Sequence, residues 1–469
     1  MSRPILLLVL CCITLWAGCR SPLDDQLYAD WVDQNAAAWP GADRALAVVT
    51  SQKQSDVLGA DARLADYIRL ALKDNPSLVA ARQRVLALGQ KVPQVTSLDD
   101  PMFRVAPVGE MAQTAAGEVE LMASVSQKLP FPGKLATRGR IAQQAVAVAL
   151  HELEQTRLDV VADTRQAYWS YVFAVRAIEV THRNRDLLMQ FLDIAKSKYK
   201  SGAATQQDVL RASVEVSDLD SQALTFEQHR QTASAMLNRL MNRPIHAPLP
   251  VPVTATLETI TLEREALLNQ AAQVNPQLRK IHEKIEANRQ RIKLARLQRW
   301  PDLTLSANYN AVDDSGLAPS SNGRDQWWLG FCVNLPIWMD KLAAGEKEAF
   351  HGMTQSLAEL TAMQNRVAFR VQDAMVRVET QQRIVLLLGE VTLPQARQAV
   401  EVSASSYRAG QIDFLSLVTN WRKLLDFELM YHQALTQLEQ NFADLQRAVG
   451  RDLRRGTPSL PQEENDHEN

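Results

Sequence analysis

The sequence predicts a mainly α-helical protein with a small transmembrane β part, built from two copies of one unit. The composition is typical of long helices, because 46% of the residues are hydrophobic and only 6% are aromatic. Short motifs recur about 200 residues apart. A few segments also alternate strictly between apolar and polar residues, as strands of a membrane barrel do.

The duplication is visible in two pairs of motifs. Asn75-Pro76 recurs as Asn275-Pro276, and Tyr199-Lys-Ser-Gly202 recurs as Tyr407-Arg-Ala-Gly410. We therefore expect one repeat over residues 61–244 and a second over 261–453, joined by a proline-rich linker over 245–260.

Each repeat is predicted to contain a helical segment, two strands and two very long helices that meet at a turn. A helix of about 65 residues would be about 100 Å long and must pack against equally long partners, as in a coiled coil. The predicted helices are 61–96, 135–200 and 205–241 in the first repeat, and 261–298, 341–408 and 413–450 in the second.

The alternating segments predict strands with a lipid-facing side and a wet side. They cover residues 118–129, 302–310 and 326–335. A soluble sheet with one solvated face would show the same alternation. Glu118 and Glu120 are expected to face the lumen of a barrel. An aromatic girdle at the membrane interface is predicted from Tyr309, Trp327, Trp328 and Trp338.

The N-terminus is typical of an exported protein. Residues 1–18 contain a short apolar run and are predicted to be a signal peptide. The following Ala17-Gly18-Cys19 resembles the site at which bacterial lipoproteins are cleaved and acylated, although Trp16 departs from that motif. We predict lipidation of Cys19, with plain cleavage or an uncleaved signal as alternatives, a lipid-anchored extension over 19–60 and a disordered polar tail over 454–469.

Several function classes find no support in the sequence. The net charge is −2 without a block of either sign, which argues against a nucleic-acid partner. Neither a phosphate-binding loop nor a nucleophile elbow is present, and the eight histidines are scattered. No enzyme activity, no cofactor and no metal site is therefore predicted.

Taken together, these motifs resemble the TolC-like outer membrane efflux protein family from about residue 61 to 453. Two further segments carry the resemblance, Lys128-Leu-Pro-Phe-Pro-Gly-Lys134 and Asn334-Leu-Pro-Ile-Trp338. The resemblance implies a homotrimer in the outer membrane, with a twelve-stranded β-barrel continued by a periplasmic α-helical barrel.

The resemblance also implies a function. Such a channel passively conducts substrates from an inner-membrane pump and a periplasmic adaptor, or membrane fusion protein, to the exterior. The stretch from Leu129 to Lys134 resembles the branch that serves heavy-metal pumps of the resistance-nodulation-division type. The alternatives are the exit duct of a type I protein secretion system and a non-pore coiled-coil scaffold.

In this family the closed end of the tunnel lies at the periplasmic hairpin turns, here residues 199–212 and 407–420. Gly202 and Gly410 are expected to supply the left-handed turn residues. Asp208 and Asp413 are expected either to form acidic rings in the trimer or to cap helices. Arg408 is expected to pair with a carboxylate on a neighbouring helix. The remaining expected gate or adaptor-contact residues are Tyr199, Ala203, Ala204, Thr205, Tyr407, Gln411 and Ile412.

Overall fold

The computed structural model describes residues 58–59, 61–109, 113–252, 260, 262–314 and 322–453. The predictions for the signal peptide, for Cys19 and for the C-terminal tail lie outside these residues. Within them, no helix combines the length and the apolar character needed to cross a membrane.

Helices and one antiparallel sheet make up the described chain. The five strands are β1 (Met102–Pro107), β2 (Gln113–Thr114), β3 (Gly117–Leu129), β4 (Leu303–Asp313) and β5 (Gln326–Val333). The α-helices are α1 (Leu64–Asp74), α2 (Pro76–Gly89), α3 (Lys91–Thr96), α4 (Lys134–Lys200), α5 (Gln206–Leu240), α6 (Arg264–Val274), α7 (Pro276–Leu297), α8 (Met339–Leu386), α9 (Leu393–Arg408) and α10 (Phe414–Val449).

The chain forms two compact units, each built from both repeats. The first unit contains the sheet, and its described residues fall within 84–146 and 286–353. The second unit is helical and takes its described residues from 58–83, 147–285 and 354–453.

The first predicted helix of each repeat is broken at the Asn-Pro pair. Residues 61–96 form α1, α2 and α3, and residues 261–298 form α6 and α7. Pro76 and Pro276 cause the break because proline disfavours helical torsion angles in the residue before it. Asn75 and Asn275 accordingly have nearly identical extended torsions, with ψ of 122° and 121°.

The two asparagines make equivalent contacts in the two repeats. Asn75 Nδ2 donates to the carbonyl of Leu240 at 2.9 Å, and Asn275 Nδ2 donates to that of Ala448 at 2.8 Å. Each side-chain oxygen accepts the backbone N–H two residues later at 2.9 Å. The same joint therefore attaches the first helices of each repeat to the end of its last helix.

One of the two predicted long helices is continuous and the other is not. Helix α4 runs over 67 residues, as predicted. In the second repeat a π-helical segment, Leu387–Thr392, separates α8 from α9, so the prediction of one helix over 341–408 is wrong. Pro394 explains the interruption. Proline has no backbone N–H to donate to the preceding turn, and in a regular α-helix its ring clashes with the carbonyl of that turn.

The sheet has the strand order β1-β3-β4-β5, with the short β2 paired to β3. Strand β3 of the first repeat pairs with β4 of the second over eleven residue pairs, from Glu118↔Asp313 to Leu129↔Leu303. Four main strands are thus present, as the family resemblance implies, and β1 and β5 form the two edges.

The register sorts the side chains of the sheet into an apolar face and a polar face. The apolar face contains the rows Phe103-Val125-Ala307-Leu329 and Val105-Ala123-Tyr309-Trp327. It is open, because Trp327, Leu329 and Phe331 are 75%, 77% and 78% exposed. A soluble monomer rarely leaves so large an apolar surface uncovered.

Two details of the predicted strands are corrected. A β-bulge between Val119 and Leu121 breaks the alternation and places Glu118 opposite Asp313. By the alternation along β4, Asp313 shares the apolar face with Ala311, so Glu118 does not lie on the polar face. Trp328 is opposite Asn308 on the polar face and is therefore not part of an outer aromatic girdle.

Candidate functional site

The two hairpin turns of the helical unit have the same backbone design. Gly202 and Gly410 have φ of +73° and +77°, in the left-handed region that favours glycine, as predicted. The residue after each glycine donates to a carbonyl five residues earlier, Ala203 to Lys198 at 2.8 Å and Gln411 to Ser406 at 2.9 Å. This bond closes the last helical turn before the chain reverses.

The helices that follow the turns start with different caps. Asp413 is the N-cap of α10 and accepts the N–H of Ser416 at 3.0 Å. Hydrogen bonds from Ser416 hold the pKa of Asp413 below its usual range. In α5 the N-cap is Thr205, and Asp208 lies three residues later, where it accepts the N–H of Thr205 at 3.2 Å. The N-cap interpretation thus holds for Asp413 but is wrong for Asp208.

The two tyrosines before the glycines have different environments. Tyr407 is only 4% exposed and packs against Phe414, with ring centroids 5.4 Å apart. Burial and, to a lesser degree, the charge of Asp208 raise the pKa of Tyr407. Tyr199 is 48% exposed. The repeated motif therefore builds one buried and one exposed tyrosine.

A lysine of the first hairpin holds the second hairpin at Tyr407. Lys198 Nζ lies 4.6 Å from the centroid of the Tyr407 ring and donates to the carbonyl of the same residue. Lys198 is at the end of α4 and Tyr407 is at the end of α9, so this contact joins the two turns. Sequence reasoning singled out Tyr407 but not Lys198.

Arg422 makes a second contact between the two hairpins, and sequence reasoning missed this residue as well. Arg422 Nε donates to Glu215 Oε2 at 2.8 Å, which joins α10 to α5, and Glu215 is 6% exposed.

Arg408 is exposed, and within the described residues of one chain no carboxylate lies at ion-pair distance from it. Its predicted pairing stays a prediction.

A second buried carboxylate lies further from the turns, on α10. Glu428 is 7% exposed and accepts from Asn184 Nδ2 at 2.9 Å and from Arg397 Nη2 at 3.2 Å, with Arg183 3.9 Å away. It thereby ties α10 to α4 and α9. The sequence contained a signal for this buried carboxylate. Trp421, Leu425 and Glu428 follow the spacing of one helix face, so the sequence places a charged residue among core positions.

The site thus consists of two helical hairpins whose turns are built alike. Lys198, the Arg422–Glu215 ion pair and, further from the turns, Glu428 hold the two hairpins together. A sheet with one open apolar face belongs to the same chain. This combination is typical of a class of membrane channel proteins.

Comparison with known proteins gives the family. The sequence matches the family model described as outer membrane efflux protein over residues 67–243 and 267–451, and the chain belongs to this family. Its members form channels in the outer membrane and are not enzymes.

Individual relatives are distant. The nodulation protein T of Rhizobium leguminosarum bv. trifolii is 21% identical over 72% of this chain and 72% of its own. The outer-membrane channel OprN is 18% identical and superposes with a TM-score of 0.71, covering 83% of this chain and 90% of that one. The channel protein CusC is 15% identical with a TM-score of 0.72, covering 86% and 96%. These two structures show that the fold is shared.

Proposed function

We propose that this chain is the outer-membrane channel subunit of a tripartite efflux system, which conducts substrates passively from an inner-membrane pump through a periplasmic adaptor to the exterior. The observation that carries the proposal is the sheet, which has one open apolar face and two edge strands that no other described strand covers. Four strands cannot close a barrel, and a strand edge cannot remain unpaired in lipid. Three copies would supply twelve strands and close it.

The proposed partners follow from the family and from the exposed turns. The adaptor would dock on the small side chains around Gly202 and Gly410. A pump of the resistance-nodulation-division type is favoured by the stretch from Leu129 to Lys134. The protein would lie in the outer membrane with Cys19 as its lipid anchor and with the hairpins in the periplasm.

The gate would lie at the two hairpin turns. In one chain the second hairpin is held to the first through Lys198 at Tyr407 and through Arg422 at Glu215. Opening would break these contacts, and a bound adaptor would favour the open state by binding it more tightly. Rings of Asp208 and Asp413 in the trimer would attract cations to the entrance.

Single-channel recording of Glu215→Gln tests this gate. The substitution keeps the shape of the side chain but removes the charge that faces Arg422. At about 1 kcal/mol per chain, three chains would shift the closed-to-open equilibrium about a hundredfold toward open. We expect a larger mean conductance and longer openings in a planar bilayer, and a similar change in Arg408→Ala if Arg408 holds a neighbouring chain.

Glu401→Gln is the matched control, because it makes the same substitution of glutamate by glutamine at an exposed position of α9. It is expected to conduct like the wild type. Openings of Glu215→Gln that match those of the wild type would show that the ion pair does not hold the gate shut.

A further inference from the structure

The polar face of the sheet carries an exposed arginine at the centre of β1. The register places Arg104 in one row with Ser124, Asn308 and Trp328. No carboxylate lies at ion-pair distance from Arg104 among the residues that the structure describes. The positive charge of this side chain is therefore uncompensated within the sheet.

The other rows of this face add little net charge. Lys128 is the second charged residue, but its Nζ lies 3.7 Å from Asp302 Oδ2. The remaining members of these rows are neutral: Met102, Ala106, Met122, Ser126, Thr304, Ser306, Asn310, Gln326, Gly330 and Cys332.

The carboxylates of β3 and β4 lie at the end of the sheet, from the bulge onward. Glu120 is the bulged residue, and it is exposed and has no register partner in β4. There Glu118 is opposite Asp313, and by the alternation along β4 both lie on the side of the apolar rows. Within the registered rows of the polar face, Arg104 therefore determines the sign of the charge.

We propose that Arg104 is a selectivity-determining residue of the pore, which makes the wall cationic at the level of the row that it shares with Ser124, Asn308 and Trp328, and which favours the passage of anions, including organic anions. The inference rests on the proposed channel function, in which the polar face lines a water-filled barrel. Three copies would place three guanidinium groups in that barrel. A narrow passage with low-dielectric walls strengthens such a field.

The carboxylates of Asp208 and Asp413 lie at the helical turns, whereas Arg104 lies in the sheet. The competing explanation is that Arg104 is only a solvated surface residue without influence on the pore.

A thiol beside Arg104 measures the local potential directly. Ser124→Cys introduces it opposite Arg104, in a Cys332→Ser background, and Cys332→Ser alone gives the labelling background. The assembled protein is labelled in 10 mM salt, where screening extends over about 30 Å. The rates with an anionic and a cationic thiosulfonate of similar size are each divided by the rate with a free small thiol.

We expect the anionic reagent to react faster at this thiol. For a charge about 6 Å away in water, each rate changes about threefold, so Arg104→Gln is expected to lower the anion-to-cation ratio about tenfold. Arg104→Lys keeps the charge and should keep the ratio. Arg140→Gln removes an exposed charge of α4 outside the sheet and should also leave it unchanged.

Ala123→Cys is the matched control for the face, because Ala123 is the neighbour of Ser124 on the apolar side. Its thiol is expected to be protected by lipid or detergent. A ratio that is the same with Arg104 and with Arg104→Gln would overturn the proposal, and so would a reactive thiol at 123 with a silent one at 124. Wild-type protein without any conductance would instead overturn the channel itself.

Discussion

The asparagine joint that recurs in both repeats allows a quantitative test of the fold. Asn75→Ala removes the bond to the Leu240 carbonyl and the bond from the Ser77 N–H, and Asn275→Ala removes the equivalent pair. Both asparagines are buried, with 5% and 3% exposure, so water does not replace the lost partners freely.

The expected cost follows from the groups left behind. Each substitution deletes two hydrogen bonds and leaves a helix-terminal carbonyl without its side-chain donor, so we expect the free energy of unfolding to fall by about 2 to 4 kcal/mol. Because the geometry is nearly the same in the two repeats, the two variants should lose similar amounts.

Urea unfolding in detergent, followed by far-UV circular dichroism, measures this loss as a lower transition midpoint at an unchanged slope. Asn365→Ala is the matched control, since Asn365 is exposed on α8, and it should change stability by no more than about 0.5 kcal/mol. Midpoints of Asn75→Ala and Asn275→Ala that equal that of Asn365→Ala would refute the reasoning about the joint.

Two further predictions concern the turns and pH. Gly410→Ala should lose about 1 kcal/mol because its φ of +77° is costly for a side chain, whereas Gly345→Ala within α8 should gain up to about 1 kcal/mol, and thermal unfolding distinguishes the two signs. Lowering the pH from 7 to 5 should cost about 2 kcal/mol through His151, whose pKa is lowered to about 4 by burial and by Arg279.

The direction of the pH effect follows from the proton uptake of His151. In the unfolded chain His151 binds a proton as the pH falls through about 6.5, whereas in the folded chain it does so only near pH 4. The contribution of His151 to the free energy of unfolding is therefore present at neutral pH and is lost as the pH falls from about 6.5 to about 4. Glu283 lies 3.9 Å from His151 and favours protonation, but burial is the stronger effect. His151→Gln should remove this part of the pH dependence. An unchanged pH profile in that variant, or a loss in Gly345→Ala equal to that in Gly410→Ala, would contradict these predictions.

Local patterns in the sequence were sufficient for much of the fold. Alternation predicted β3, β4 and β5, because side chains of a strand point to opposite faces with a period of two. Gly202 and Gly410 were predicted as left-handed turn residues from a local property as well, because glycine has no Cβ and adopts a positive φ without strain. Pro76 and Pro394 are equally local signals, and they mark the breaks that the prediction of continuous helices overlooked.

The contacts that hold the hairpins together could not be predicted in this way. Lys198 and Tyr407, which are joined by a hydrogen bond, are 209 residues apart in the sequence. Helical periodicity indicates which face of a helix is buried but not which partner covers it. Arg408 was favoured because it belongs to the repeated turn motif, whereas Arg422, which pairs with Glu215 on another helix, stands in no motif at all.

Single-channel recording of the purified wild-type protein in a planar bilayer is the most direct test of the central claim that this chain forms a channel. The account predicts a protein that needs detergent to stay in solution and that gives small, discrete conductance steps, because the turns hold the helical end shut. A protein that is monodisperse without detergent and gives no conductance would contradict the channel and leave a helical scaffold.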